Sequence, residues 1–432
     1  MMEISECEDV EPREKYLIEG GTHLRGKVAV SGSKNAALPI IAATLITPSI
    51  YTLSNVPEIK DVETMLEILK RIGAGVRRIK KNVFEIDTKN VSSFEPDYKL
   101  VRNIRASVLL IGPLLARFGK VKIAQPGGCF IGSRALTTHF KALNDIGVSV
   151  KERENYYYLS AKEIKSGKKV ILNEISVTAT ENLLMAVSKT KFTKIRMAAS
   201  EPHIEDLCRF LVKMGVKMDG VNTHNLKVYG TRRFNKNVEH KIIPDQIEAG
   251  SLAIAAAVSR GKVEIGNFIA DHNDMLLEKF EEAGVNFEAK NSTLFIKPTT
   301  IFRATNLRTD VYPGFPTDLQ APMAVLLTQA EGTSQIHETL YEGRLNYIKE
   351  LRKMGAEAVI KDPHHALITG PTHLFGTKIS SFDLRAGATL IIASLIAEGQ
   401  SEIGNIHLIG RGYENIEGKL NSLGAKIKRV EA

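Results

Sequence analysis

One short phrase recurs six times along the chain and limits what it can fold into: LKRIGAGV, LNDIGVSV, LVKMGVKM, FEEAGVNF, LRKMGAEA and LNSLGAKI. Its glycines, Gly73, Gly147, Gly215, Gly284, Gly355 and Gly424, return about every 70 residues. Each copy reads as an apolar-periodic helix that runs into glycine, followed by an alternating strand. Glycine fits there because the residue after a helix commonly takes a positive φ, which glycine alone adopts at little cost. Ahead of most copies comes a second phrase, an alanine-rich helix, a tight turn and a strand, as in RFGKVKIAQPG, SRGKVEIGNF and AEGQSEIGNI. Five units carry extra strand material: NVFEID, NYYYLSA, HNLKVYG, STLFIKP and HALITG. Six α/β units of this size are too large for a solenoid repeat and point to two domains of three units each. Crossings between the domains are expected near 241–245 and 31–34.

Composition closes off other classes. Hydrophobic residues at 43% and charged residues at 25% of the 432-residue chain are ordinary globular values and exclude wholesale disorder. The three cysteines, Cys7, Cys129 and Cys208, form no CxxC pair, which argues against a disulfide scaffold or zinc ribbon and for a reducing cytoplasm. The acidic N-terminal stretch lacks an apolar core and does not read as a signal peptide; residues 1–14 are expected to be a flexible tail. Apolar runs such as 106–116 and 388–397 are about half the length of a membrane span. The net charge of +9 favours an anionic ligand. Without aromatic–basic interleaving, nucleic acid is not the expected one.

Charge at helix starts is more specific. The N-terminal end of a helix carries about half a positive charge and favours acids. Asp245 and Asp271 obey this rule, and Thr317-Asp318-Leu319-Gln320 has the form of a capping box. Lys34, Arg105, Arg134, Arg344, Arg385 and Arg411 break it, each lying at or just before an expected helix start. Two readings stay open: cations and helix ends converging on anionic ligands, or independent surface residues at frayed ends. Cys129, in the PGGCFIGSR loop five residues before Arg134, is either a thiol of lowered pKa able to move a proton or a small buried hydrophobe. Cys208 reads as core, His364-His365 as a hairpin turn, and the 201–206 acids and histidine as a helix start without a metal.

Seven spaced motifs, SGSKNAALPI, NIRAS, PGGCFIGSR, PDQIEAG, FPTDLQAP, DLRAGA and RGYE, resemble in order the UDP-N-acetylglucosamine 1-carboxyvinyltransferase family of enolpyruvyl transferases. The likeness covers the chain from about Tyr16 to the end. It implies two inside-out α/β barrel domains of three repeats each, with the active site between them. Domain I is expected over 15–33 plus 244–432 and domain II, carrying the cysteine loop, over 34–243. It also implies transfer of the enolpyruvyl group of phosphoenolpyruvate to the 3′-hydroxyl of UDP-N-acetylglucosamine, with no cofactor or metal. Cys129 matches the family's cysteine acid, and Asp318 its base for the hydroxyl proton. A helix-start acid serving the dipole is an equal reading of Asp318. Lys34, Arg134 and Arg411 match residues holding the phosphate of phosphoenolpyruvate, Arg344 and Arg385 complete its anion cage, and Asn35 neighbours both substrates. Arg105, Arg134, Ala135, Leu136, Thr137, Thr138, Ser176, Val177, Thr178 and Leu340 match nucleotide-sugar contacts. The chain departs from the usual pattern at Ala135, Thr178 and Gly410. A shikimate-3-phosphate transferase, whose family lacks the loop cysteine, and a catalytically silent nucleotide-sugar-binding copy are the alternatives.

Overall fold

The computed structural model describes residues 14–127 and 135–431. Six helices lie inside: five without a polar stripe, Lys34–Ala43, Val177–Ala186, Gln246–Val258, Thr317–Leu327 and Leu384–Ile396, and a shorter one, Ile111–Phe118, that buries Ile111–Leu115. A helix with no polar stripe has no face to offer water and must be packed on all sides. Alanine and glycine in QIEAGSLAIAAAV and LRAGATLIIASLI keep these helices thin enough to pack side by side, and Gln246–Val258, Thr317–Leu327 and Leu384–Ile396 touch one another in turn. Outer helices such as Lys60–Arg71 and Pro202–Lys213 are amphipathic and bury one stripe.

Each inner helix leads into a strand, and the described strands form six sheets. All six repeat glycines have positive φ, from 77° at Gly284 to 108° at Gly73, as the helix-end reading requires. The extra segments of five units are strands: Val83–Asp87, Tyr156–Ser160, Asn225–Tyr229, Thr293–Ile296 and His365–Gly370. In the sixth sheet the corresponding place is taken by the N-terminal strand Glu14–Glu19, antiparallel to both Gln400–Gly404 and Lys426–Glu431. Glu14, the last residue of the expected tail, therefore already belongs to a strand; residues 1–13 lie outside the described residues.

The buried apolar residues fall into two clusters. One combines Tyr16–Val30 with residues 247–427, and the other runs from Ala36 to Ile242. Between them the chain passes twice, side by side. Ser33 donates its N–H to the Ile243 carbonyl at 2.8 Å, and Asp245 to the Ser31 carbonyl at 2.9 Å. Asp245 then serves two helices. Its Oδ1 accepts from Ile247 and Glu248 at 2.8 and 3.0 Å, capping Gln246–Val258, while Oδ2 accepts the Lys34 N–H at 3.1 Å. That shared cap fixes where Lys34 leaves the crossing.

Some local expectations change. The helix expected at Asp271 starts at Asp274, with Asp271 in a preceding 3-10 turn. The capping box at Thr317 is not formed, because the Thr317 hydroxyl donates to Glu338 at 2.8 Å and Pro316 occupies the cap position. Arg105 and Arg344 open 3-10 segments rather than α-helices, and Arg411 ends one, Ile406–Arg411. Lys34 and Arg385 do sit in the first turn of α-helices, behind the caps Ser33 and Asp383.

The crossing is sterically tight at Gly32, where an added Cβ would lie 1.7 Å from the Asn55 carbonyl oxygen. Gly32→Ala is expected to lower unfolding stability by about 1–3 kcal/mol. Gly410→Ala, whose Cβ meets open space, is expected to change it little. Urea denaturation of the two variants checks the contrast.

Candidate active site

Four of the six cations singled out in the sequence, Lys34, Arg344, Arg385 and Arg411, gather in pairs around carboxylates. Asp318, on the first turn of Thr317–Leu327, accepts from Arg385 Nε at 2.9 Å and pairs with Arg344 through its other oxygen. Both arginines are only 4% exposed. Burial disfavours the ionised carboxyl, yet the charges of Arg385, Arg344 and, further off, Lys34 outweigh it and hold Asp318 well below the usual carboxylate range. The Lys34 N–H is bonded to Asp245, the cap of Gln246–Val258, and that helix packs against both Thr317–Leu327 and Leu384–Ile396, so this cluster and the next are neighbours. Arg385 also lies over the Tyr413 ring, whose hydroxyl is hydrogen bonded to Ser251 at 2.9 Å.

The second pair is Lys34 and Arg411. Lys34 Nζ is 2.7 Å from Asp61 Oδ2, and Arg411 Nε is 2.9 Å from Asp61 Oδ1. Arg411 Nη2 donates to the Asn103 carbonyl at 3.2 Å. Asp61 and Asn103 belong to the part of the chain that builds the Ala36–Ile242 core, whereas the residues flanking Arg411 belong to the other core. Arg411 thus reaches across the junction. Asn35 follows Lys34 on the same first turn and is partly exposed.

A third group lies on the Ala36–Ile242 side. Thr138, in the first turn of Thr137–Asp145, donates to Glu174 at 2.8 Å, and His139 Nε2 is 2.8 Å from Thr178 Oγ1. Ser176 is the cap residue of Val177–Ala186 but makes no side-chain cap, so Ser176, Val177 and Thr178 present a helix start only partly covered. Ala135 and Thr137 are exposed, while Leu136 is buried. His139 is 4% exposed; burial, aided by the nearby Arg105 charge, lowers its pKa to about 3. Its Nδ1 has no hydrogen-bond partner among the described residues.

Leu340 is held from below. The Leu340 and Tyr341 N–H groups donate to Glu338 Oε1 at 2.9 and 3.3 Å, and the Thr317 hydroxyl to Oε2, tying this loop to the Asp318 helix. Asp61 and Glu338 escaped sequence reasoning. Asp61 looks like any first-turn acid in KDVETML, and Glu338 like a strand-end acid in ETLYEGR. Only their burial, at 3% and 0% exposure, marks them. Cys129 and Arg134 lie outside the described residues. The approach to them is anchored at Gly127, where a Cβ would sit 1.9 Å from the Arg102 carbonyl oxygen. Cys208 is buried core, and no group of three metal-ligating side chains occurs among the described residues. Nor, among them, is any helix long and apolar enough to cross a membrane.

Chemically, the arrangement can hold anions between cations from separate repeats beside an ionised carboxylate. Among known proteins, a profile of the family described as EPSP synthase (3-phosphoshikimate 1-carboxyvinyltransferase) matches residues 18–420. UDP-N-acetylglucosamine 1-carboxyvinyltransferase from Halothermothrix orenii is 43% identical over 96% of this chain and 100% of its own length. UDP-N-acetylglucosamine 1-carboxyvinyltransferase 1 from Caldanaerobacter subterraneus is 42% identical over 96% of this chain and 99% of its own. The fold is that of solved enolpyruvyl transferases. NikO from Streptomyces tendae superposes with a TM-score of 0.88 at 22% identity, covering 98% of this chain and 100% of its own. EPSP synthase from Acinetobacter baumannii superposes with a TM-score of 0.76 at 15% identity, covering 97% and 100%.

The buried neutral histidine has a pH signature. A group whose folded pKa is lowered binds fewer protons than the unfolded chain between about 3 and about 6.5, so its contribution to stability is lost as pH falls through that window. His203, lowered to about 4 mainly by burial, adds to the same loss. His139→Gln is expected to flatten the decline between pH 6.5 and 4 by up to about 1.4 kcal/mol per pH unit, read from denaturation midpoints across pH.

Proposed function

The chain belongs to the UDP-N-acetylglucosamine 1-carboxyvinyltransferases, and on that premise we propose that it transfers the enolpyruvyl group of phosphoenolpyruvate to the 3′-hydroxyl of UDP-N-acetylglucosamine. Phosphate is released, and the step is the first committed one of peptidoglycan synthesis. The observation that carries this reading is the gathering of Lys34, Arg344, Arg385 and Arg411 about the carboxylates of Asp318 and Asp61. Curated relatives named for the nucleotide sugar are 39% to 43% identical, which favours that acceptor over shikimate 3-phosphate. The solved EPSP synthases, at 15% and 16% identity, bear on the fold alone.

The separate cores support a reading of two inside-out α/β barrel domains, 15–33 plus 244–432 and 34–243, with substrates between them. The partners are the two small-molecule substrates, the compartment is the cytoplasm, and neither nucleic acid nor membrane takes part. The nucleotide sugar lies against Arg105, Arg134–Thr138, the Ser176–Thr178 helix start and Leu340. Phosphoenolpyruvate lies against Lys34, Asn35, Arg134, Arg344, Arg385 and Arg411.

In the addition step the sugar 3′-oxygen bonds to C2 of phosphoenolpyruvate, the Cys129 thiol gives a proton to C3, and Asp318 takes the hydroxyl proton. In the elimination step the Cys129 thiolate takes a proton back from C3, the C2–C3 double bond returns, and the C2–O bond to phosphate breaks, with phosphate leaving. Held by two arginines, Asp318 is a weak base. The anionic groups of the substrates share those guanidiniums once bound, and the carboxyl regains proton affinity where the hydroxyl arrives. Fixed cations aimed at the developing charge supply electrostatic stabilisation without reorganisation. Closure of the two domains excludes water from the intermediate.

Phosphate release measured with both substrates, and with each omitted in turn, tests the reading: release is expected only with both present. Nucleotide-sugar binding without turnover would instead identify a silent copy. Asp318→Asn is expected to lower kcat by about 100-fold or more. Fosfomycin is expected to add one epoxide equivalent to Cys129, and Cys129→Asp to resist it while retaining some turnover. An unmodified, active enzyme by mass spectrometry would refute the cysteine assignment.

A further inference from the structure

Asp61 is buried, bridges two cations and is assigned no part in the reaction described above. Its helix, Lys60–Arg71, starts at Ile59 without a side-chain cap, and Asp61 lies in the first turn. Its two oxygens are divided, Oδ2 to Lys34 and Oδ1 to Arg411. Arg411 engages it through Nε, and Nη2 goes to the Asn103 carbonyl. Of the five N–H bonds of a guanidinium, three remain, and two of the three on the Lys34 ammonium. Among the described residues these donors have no further partner, and they are left for an incoming anion.

Building on the function proposed above, we propose that Asp61 is a positioning residue, a resident counter-anion that aims Lys34 and Arg411 as one pair and moderates their grip on phosphate. Two cations this close, in a partly buried site, repel each other unless a carboxylate lies between them. With Asp61 present, the pair carries one net positive charge. A substrate phosphate is then attracted strongly enough to be placed, and product phosphate weakly enough to leave. Because Arg411 comes from the other side of the junction, the same carboxylate sets the position to which that arginine returns in each cycle. Asp61 shares its cations with the ligand and is not displaced by it.

The test is Asp61→Asn, which keeps the shape and removes the charge, with Asp61→Ser as a smaller variant carrying the same charge change should the first fold poorly by thermal melting. Calorimetric titration of inorganic phosphate into the ligand-free protein is expected to show about tenfold tighter binding than wild type, the scale of one unit charge lost beside a partly screened pair. In turnover, kcat is expected to fall and product inhibition by phosphate to strengthen, with KM for UDP-N-acetylglucosamine within about threefold of wild type. The gain in phosphate binding is expected to vanish when Arg411→Met is already present. Unchanged or weaker phosphate binding by the folded variants, or the same gain without Arg411, overturns the proposal. A purely structural role for Asp61 predicts equal losses for both substrates and no gain for phosphate. The titration needs no turnover, so a wild-type protein that released no phosphate from the two substrates would sink the transferase reading while the role of Asp61 was still decided.

Discussion

Concentrating positive charge in a cleft is unfavourable until something negative arrives, and much of this structure answers that constraint. Lys34, Arg344, Arg385 and Arg411 are drawn together by two carboxylates, Asp61 and Asp318, each shared between two cations. A shared carboxylate leaves the pair with a net positive charge, so the cations are held in place yet still attract an anion. The four cations are thus arranged without any ligand, and an anion arriving between them would meet order already in place.

The scaffold makes that assembly possible by putting helix ends where they are needed. Five of the inner helices have no polar stripe and are enclosed by sheets and by one another, so their cations are offered at the helix ends. Lys34, Asp318 and Arg385 all lie in the first turns of such helices. The paired crossings at 31–33 and 243–245 lock two of these helices together through Asp245, which caps one and accepts the N–H of Lys34 on the other. Placement of a cation is therefore a consequence of how two cores are joined.

Much was legible from the chain alone. The six glycines needed positive φ because each ends a helix, and each has it. The extra strands were readable because alternation is a local signal. What escaped was decided at a distance. The capping box at Thr317 had the right letters but lost its hydroxyl to Glu338, which lies 21 positions further on. Asp61 was indistinguishable from an ordinary first-turn acid because its partner Arg411 is 350 positions away. Arg411 itself ends a 3-10 turn, so its value to the site comes from its reach across the junction and not from a helix dipole.

Sequence by itself determined the repeat, the α/β units, the alanine-rich and apolar-periodic helices and the inventory of cations, since these depend on periodicity and backbone preference within a few residues. Only the tertiary structure decided which acid neutralises which cation, why Asp318 stays ionised, and that the sixth sheet is completed by the N-terminal strand. Coulomb interactions and strand pairing depend on proximity in space, and proximity between residues hundreds of positions apart leaves no trace in local pattern.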